Sequence, residues 1–207
     1  MQDRIAMVTG GTAGIGLVTA RELATKGAAV IIVGRDPAKG ERVAEEIRRA
    51  SGNGRVRFES ADLSIQSEVR RVARDFAEAH PRLDVLVNNA GAIFTERRLS
   101  ADGIEMTLAL NHLNYFLLTH LMLDRLRAAP AGRVVNVASR AHEGASLDFS
   151  DLQMEKAYAG WRAYQRSKLM NIMFTYELAR RLSPGGVTVN ALHPGFVASS
   201  FGMNNGL

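Results

Sequence analysis

Short apolar runs alternate with longer amphipathic stretches along this whole chain. Residues 5–9 read as a strand. The glycine-rich stretch 10–16 reads as a turn that opens a helix to about Lys26, with Gly27 as its stop. Residues 28–33 form an unbroken apolar run, the pattern of a strand covered on both faces. Asp36 and Pro37 supply an N-cap and a first-turn proline for a helix to about Ala50. The Ser51, Gly52, Asn53, Gly54 break leads into an alternating strand over 55–59. Further helices are expected over about 64–79, 100–128 and 158–182, and further strands over 83–87, 133–138 and 187–192. On the long 100–128 stretch, Leu108, Leu110, Leu113, Phe116, Leu117 and Leu121 form the face expected in the core. Such alternation requires right-handed crossovers and predicts one doubly wound α/β domain over 1–207. Its parallel sheet has at least six strands, flanked by helices.

Composition narrows the picture mainly by exclusion. With 207 residues, 46% apolar and 23% charged, the chain has the make-up of one globular domain. It has no cysteine, which excludes disulfides, thiolate nucleophiles and cysteine-ligated zinc. That agrees with the cytoplasmic location expected here. No apolar run precedes Arg4, and no uncharged apolar stretch reaches about 18 residues, so neither a signal peptide nor a membrane span is expected. The net charge is +5, but the arginines are spread in pairs along the chain. No nucleic-acid partner is therefore expected, although a basic surface suits a small polyanion.

The turn Thr9, Gly10, Gly11, Thr12, Ala13, Gly14, Ile15, Gly16 lies between the first strand and the first helix. Ligands of such sheets sit at the carboxyl ends of strands, where a helix N-terminus offers free N–H groups to a pyrophosphate. A Rossmann-type dinucleotide site follows, although the glycine spacing is not the common one. The second strand ends in Gly34 and Arg35, with Lys39 nearby and Asp36 in a capping position. A guanidinium can pair with a 2′-phosphate, so NADP(H) is expected over NAD(H), which stays possible.

Tyr164 and Lys168 are four residues apart on one expected helix, 25 residues beyond Ser139. Residues i and i+4 share a helix face. A free tyrosine has a pKa near ~10. A unit charge ~4 Å away is worth ~4 kcal/mol at an effective dielectric near ~20. Lys168 is therefore expected to lower the Tyr164 pKa and make the phenol a proton donor and acceptor near neutral pH.

These residues fall into a pattern that resembles the short-chain dehydrogenase/reductase family: Thr9-Gly10-x-x-x-Gly14-x-Gly16, Asp62-Leu63, Asn88-Asn89-Ala90-Gly91, Asn111, Ser139, Tyr164-x-x-x-Lys168 and Pro194-Gly195, in that order. Asn111-His112-Leu113 and Gly34-Arg35-Asp36 look most like the retinol dehydrogenase and WW-domain oxidoreductase branch. The resemblance implies interconversion of an alcohol and a carbonyl by hydride transfer, with Tyr164 as general acid/base. It implies that Ser139 holds the reacting oxygen, and that Lys168 tunes the phenol and bonds the cofactor ribose. Asn111 anchors a water on a proton path. Gly10, Thr12, Gly14, Ile15 and Gly16 are implied around the phosphates, and Arg35 at the ribose. Asp62 and the Leu63 backbone are implied at the adenine, Asn89, Ala90 and Gly91 along the cleft, and Pro194, Gly195 and Val197 at the carboxamide. No metal is implied.

The resemblance also implies a helical lid and a further strand beyond Leu207, and the chain is expected to lack both. A small, lipophilic alcohol or carbonyl is the expected substrate, with a homodimer or homotetramer possible through the long helices. The alternative expectation is a non-catalytic NADP(H)-binding regulator on the same fold. His142 is a candidate substrate contact, against an ordinary loop histidine.

Overall fold

Strand β1 (Ile5–Thr9) lies at the centre of the sheet, in parallel with β2 (Ala29–Gly34) on one side and β4 (Val85–Asn88) on the other. With β3 (Val56–Ser60), β5 (Arg133–Val137) and β6 (Thr188–Leu192), the order is β3-β2-β1-β4-β5-β6, every pairing parallel. This computed structural model describes residues 1–195. The helices are α1 (Gly14–Thr25), α2 (Pro37–Ser51), α3 (Gln66–Ala79), α4 (Met106–Leu108), α5 (Asn114–Arg127) and α6 (Gly160–Leu182). The expected parallel six-stranded, doubly wound sheet is therefore observed.

Alternate strand residues feed two cores. Met7, Ile31, Val33, Leu86 and Val134 pack with Val69, Val72 and Phe76 of α3 and Leu118, Met122 and Leu126 of α5. Ala6, Val8, Val30, Ile32 and Val87 pack on the other face with Ala20 and Ala24 of α1 and Val43, Ala44 and Ile47 of α2. Each Val, Leu, Ile, Met or Phe side chain among them contributes roughly 1.5–3 kcal/mol when taken fully from water. The candidate residues lie at the carboxyl edge of this sheet, where ligands of such folds bind.

Three local departures from the expected elements have clear causes. The long helix begins at Met106, not Ser100, because Leu99 bridges to Glu105 in a short antiparallel turn. The Glu105 carboxylate then caps the helix, accepting from the N–H groups of Thr107 and Leu108, each at 2.8 Å. Second, residues Ala109–Leu113 form a π-helical segment between α4 and α5. This extra residue in the turn shifts the buried face: Leu108 and Leu110 are buried as expected, Leu118 and Met122 are fully buried, Leu117 and Leu121 are half-buried against the same core, and Phe116 is exposed. Third, α6 begins at Gly160 rather than Tyr158. A Cβ at Gly160 would stand 2.2 Å from the Phe94 carbonyl oxygen, so only glycine permits this approach. The Tyr158 hydroxyl instead bonds the Phe94 carbonyl and the Glu105 carboxylate.

Candidate active site

The parallel register puts the ends of β1, β2, β4 and β5 side by side, and with them the glycine turn, Arg35, Asn89 and Ser139. Gly10 and Gly14 have φ of +64° and +51°, which favours glycine at both. A Cβ at Gly16 would lie 2.3 Å from the Gly10 carbonyl oxygen, so α1 starts in direct contact with the turn. Its N-cap, Ala13, offers no side-chain hydrogen bond, and no acidic residue lies in its first turn. The first N–H groups, including those of Ile15 and Gly16, have no side-chain cap among the described residues and suit a phosphate.

Thr9 organises this edge, a role the sequence reading did not assign to it. Its hydroxyl accepts from the N–H groups of Asn89 and Ala90 at 2.8 and 3.0 Å and donates to the Val87 carbonyl at 3.3 Å. The Asn89 amide donates to the carbonyls of Thr9 and Gly10, which ties β4 to the turn. The signal was a threonine ending an otherwise apolar strand. Thr12 packs against the end of β2: a Cβ at Gly34 would be 2.9 Å from its methyl carbon. The next residue, Arg35, has an exposed side chain with no ion pair among the described residues. Asp36 caps α2 by accepting from the Lys39 N–H at 3.0 Å, the role expected of it. Asp62 folds its own turn, accepting from the Ser64 N–H and hydroxyl at 3.0 and 2.7 Å, and the Leu63 side chain is buried in the core.

On the substrate side, Ser139 follows β5 in extended conformation and accepts the Ala141 N–H at 3.1 Å. Its hydroxyl also hydrogen-bonds the Tyr164 phenol. Lys168 is buried and donates to the Val137 carbonyl at 2.9 Å, with Nζ 5.5 Å from the Tyr164 ring centroid. Burial is the largest influence on both groups. It raises the Tyr164 pKa, which the Ser139 hydrogen bond partly offsets, and it lowers Lys168 to about 7. The expectation that Lys168 lowers the phenol is therefore not met here: the ammonium points to a carbonyl, and desolvation disfavours each charged form. The resident forms near neutral pH are a neutral phenol and a lysine that exchanges its proton.

Asn111 lies inside the π-helical segment and is fully buried. Its side chain accepts from the Ala92 N–H and donates to the Ala92 carbonyl, both at 2.9 Å, and reaches Ser167 at 3.2 Å. Its own carbonyl accepts from the Asn171 amide at 2.9 Å. A Cβ at Gly91 would be 3.1 Å from the Asn111 oxygen and 3.8 Å from Lys168 Nζ, so these residues do converge. Asn171 and Tyr115 belong to this surround and were missed. Neither lies in a motif or on the apolar face that the sequence pattern marks.

The Trp161 ring stacks on Tyr164 at 5.5 Å between centroids, as expected for helix neighbours. His142 is half-buried and its Nδ1 is 2.6 Å from the Ser139 carbonyl; it belongs to the serine turn rather than to an open loop. His112 bonds Asn171 at 3.0 Å. Pro194 and Gly195 follow β6, and Val197 lies outside the described residues. Among the described residues no group of three or more side chains could hold a metal, and no helix is long and apolar enough to cross a membrane.

The family model described as short chain dehydrogenase matches residues 4–206. The chain is 46% identical to human retinol dehydrogenase 11 over 199 residues, covering 96% of this chain and 63% of that protein. It thus spans under two thirds of that relative's length. The crystal structure of an uncharacterized protein from Mycobacterium paratuberculosis superposes with a TM-score of 0.84 at 40% identity, covering 94% of this chain and 69% of that one. The Pseudomonas aeruginosa RhlG/NADP active-site complex gives 0.78 at 32%, covering 96% and 75%.

Proposed function

Because the chain belongs to the short chain dehydrogenase family, we propose that it is an NADP(H)-dependent oxidoreductase interconverting an alcohol and a carbonyl, with Tyr164 as general acid/base. One observation carries the reading: a buried, neutral phenol hydrogen-bonded to Ser139 beside Lys168, at the sheet edge that bears an uncapped helix N-terminus. Such a phenol is in the protonation state needed to donate to a carbonyl oxygen.

The residues present fit the cofactor. The α1 N-terminus and the close-packed Gly10–Gly16 contact leave room and donors for a pyrophosphate. Arg35, exposed at the end of β2, offers a fork to a 2′-phosphate, while NAD(H) would leave it unused. RhlG, which is similar to this chain, was crystallised with NADP. When bound, NADP(H) supplies or accepts the hydride.

The chain's own residues do the rest. Ser139 accepts the Ala141 N–H, so its single hydroxyl proton is directed to Tyr164 or to the substrate oxygen. Tyr164 gives its proton to that oxygen during reduction and takes it back during oxidation. Lys168, near pH 7 in its own titration, exchanges protons close to the phenol. Asn111 fixes the Ala92 wall of the cleft at both backbone atoms. Trp161 is more than half exposed and stacked on Tyr164, an apolar surface suited to a lipophilic substrate. Likeness to retinol dehydrogenase 11 supports the same substrate class. Phe116, exposed on α5 and 5.5 Å from Phe174, supports self-association through these helices.

The test is NADPH consumption at neutral pH against a panel of aldehydes, ketones and retinoid-like carbonyls. Saturable turnover of at least one is expected. Tight NADPH binding with no turnover of any member would instead favour a binding protein without catalysis.

A further inference from the structure

Lys168 is buried, and no carboxylate among the described residues forms an ion pair with it. It is 3% exposed, and its one hydrogen bond among the described residues goes to the Val137 carbonyl. Two aromatic rings face it. Nζ stands 5.5 Å from the Tyr164 centroid and 5.7 Å from the centroid of Tyr115 on α5. Both distances lie within the reach at which a ring's negative face attracts a cation, and the attraction is stronger where water is excluded. The Tyr164 ring belongs to the reacting group. The Tyr115 ring has had no role.

Tyr115 is fully buried, and its hydroxyl has no hydrogen-bond partner among the described residues. Lys168 therefore meets the face of this ring and not its oxygen. The other groups around Nζ are the Val137 carbonyl from β5 and the Asn111 amide near Gly91, neither of which titrates. Among the described residues the titratable groups facing it are the two tyrosines, Tyr164 from α6 and Tyr115 from α5. Burial keeps both phenols protonated near neutral pH, so each presents a neutral ring.

We propose that Tyr115 is a positioning residue whose ring face holds the Lys168 ammonium charged and in place beside Tyr164. The ammonium that exchanges its proton close to the phenol is then stabilised from two helices, α5 and α6, and the register of α5 set by the π-helical segment becomes part of the site. A one-residue shift of α5 in either direction would put Asn114 or Phe116 where Tyr115 stands. The bearing on catalysis rests on the function proposed above; the effect on Lys168 does not.

The experiment titrates the cofactor-free protein labelled at lysine Cε with carbon-13, followed by NMR. The chain has only Lys26, Lys39, Lys156 and Lys168, so the Lys168→Met variant assigns the resonance. Tyr115→Leu should lower the Lys168 midpoint by about one pH unit. Tyr115→Phe keeps the face and should leave the midpoint within about 0.3 unit of the parent. An unmoved midpoint in the leucine variant overturns the proposal. So does a fall in the phenylalanine variant as large as in leucine, since the hydroxyl would then be responsible. Should the leucine variant fail to fold, tetrafluorophenylalanine at 115 keeps the shape while removing the negative face; it must lower the midpoint, and an unchanged value refutes the inference. If the midpoint moves as expected but NADPH-dependent turnover is absent, the proposed function fails and the Tyr115 contact stands.

Discussion

Replacing Gly16 with alanine tests how closely the first helix is pressed against the glycine turn. The added Cβ would lie 2.3 Å from the Gly10 carbonyl oxygen, 2.6 Å from the Asn89 amide nitrogen and 2.9 Å from the Gly10 carbonyl carbon. Ordinary contact begins near 3.4 Å, so the closest pair must separate by about 1.1 Å. Two of the three obstacles are backbone, and the third is an amide that bonds the Thr9 and Gly10 carbonyls. None of them can rotate away without losing structure. Overpacking of this kind costs about 1–3 kcal/mol. For a domain of this size that is a fall in Tm of several degrees, about 4–8 °C for 2 kcal/mol. Part of the displacement falls on the N–H groups proposed to hold the pyrophosphate, so the Kd for NADPH should rise about 5- to 150-fold over the same energy range. Thermal melting and calorimetric titration measure the two effects separately. A Gly16→Ala protein with the parent's Tm and the parent's NADPH affinity would refute both the close approach and its use as a phosphate cradle.

Arg35→Ala should weaken NADPH about tenfold, as an exposed and partly screened charge-assisted contact would, while changing NADH less than about twofold; equal losses in titrations with both would remove Arg35 from the 2′-phosphate. Lys168 titrates near 7 when folded against about 10.4 when unfolded, so the unfolded chain binds more protons in that window. The parent therefore loses stability as pH falls from about 10 to 7, on the order of a few kcal/mol, and Lys168→Met, which has no such group, does not. The stability difference between the two in denaturant melts should be largest in the variant's favour at pH 7 and shrink toward pH 10; a difference independent of pH contradicts the buried, weakly basic lysine. NADPH should change the emission of Trp161, the chain's only tryptophan, because it stacks on Tyr164. An unchanged spectrum at saturating cofactor would count against the placement of α6 beside the cleft.

What the sequence made legible was local. The glycine turn could be read because spacing, strand and helix all point to one backbone conformation. Asp36 was legible as a cap because it precedes Pro37. The carboxyl-edge location of Ser139, Arg35 and Asn89 followed once the sheet was parallel. What escaped depended on distant partners. The helix start at Met106 rests on Leu99 pairing with Glu105, and the Glu105 N–H in turn donates to Gln153, 48 residues away. The π-helical segment rotates α5 by a residue, which no 3.6-residue pattern reports, and this is why Tyr115 looked like an ordinary helix residue. The acidity of Tyr164 was misjudged because spacing gives the Tyr164–Lys168 separation but not the burial of both. Asn171 escaped because its partner, the Asn111 carbonyl, becomes available only in that widened turn.

The proton at Tyr164 is the centre of the proposed function, and Tyr164→Phe tests it most directly. With a carbonyl substrate found in the panel, the variant's kcat should fall by about 10²- to 10⁴-fold, the usual contribution of a positioned general acid. Its Kd for NADPH should stay within a few-fold of the parent's. Turnover within a few-fold of the parent, with binding intact, would contradict the account.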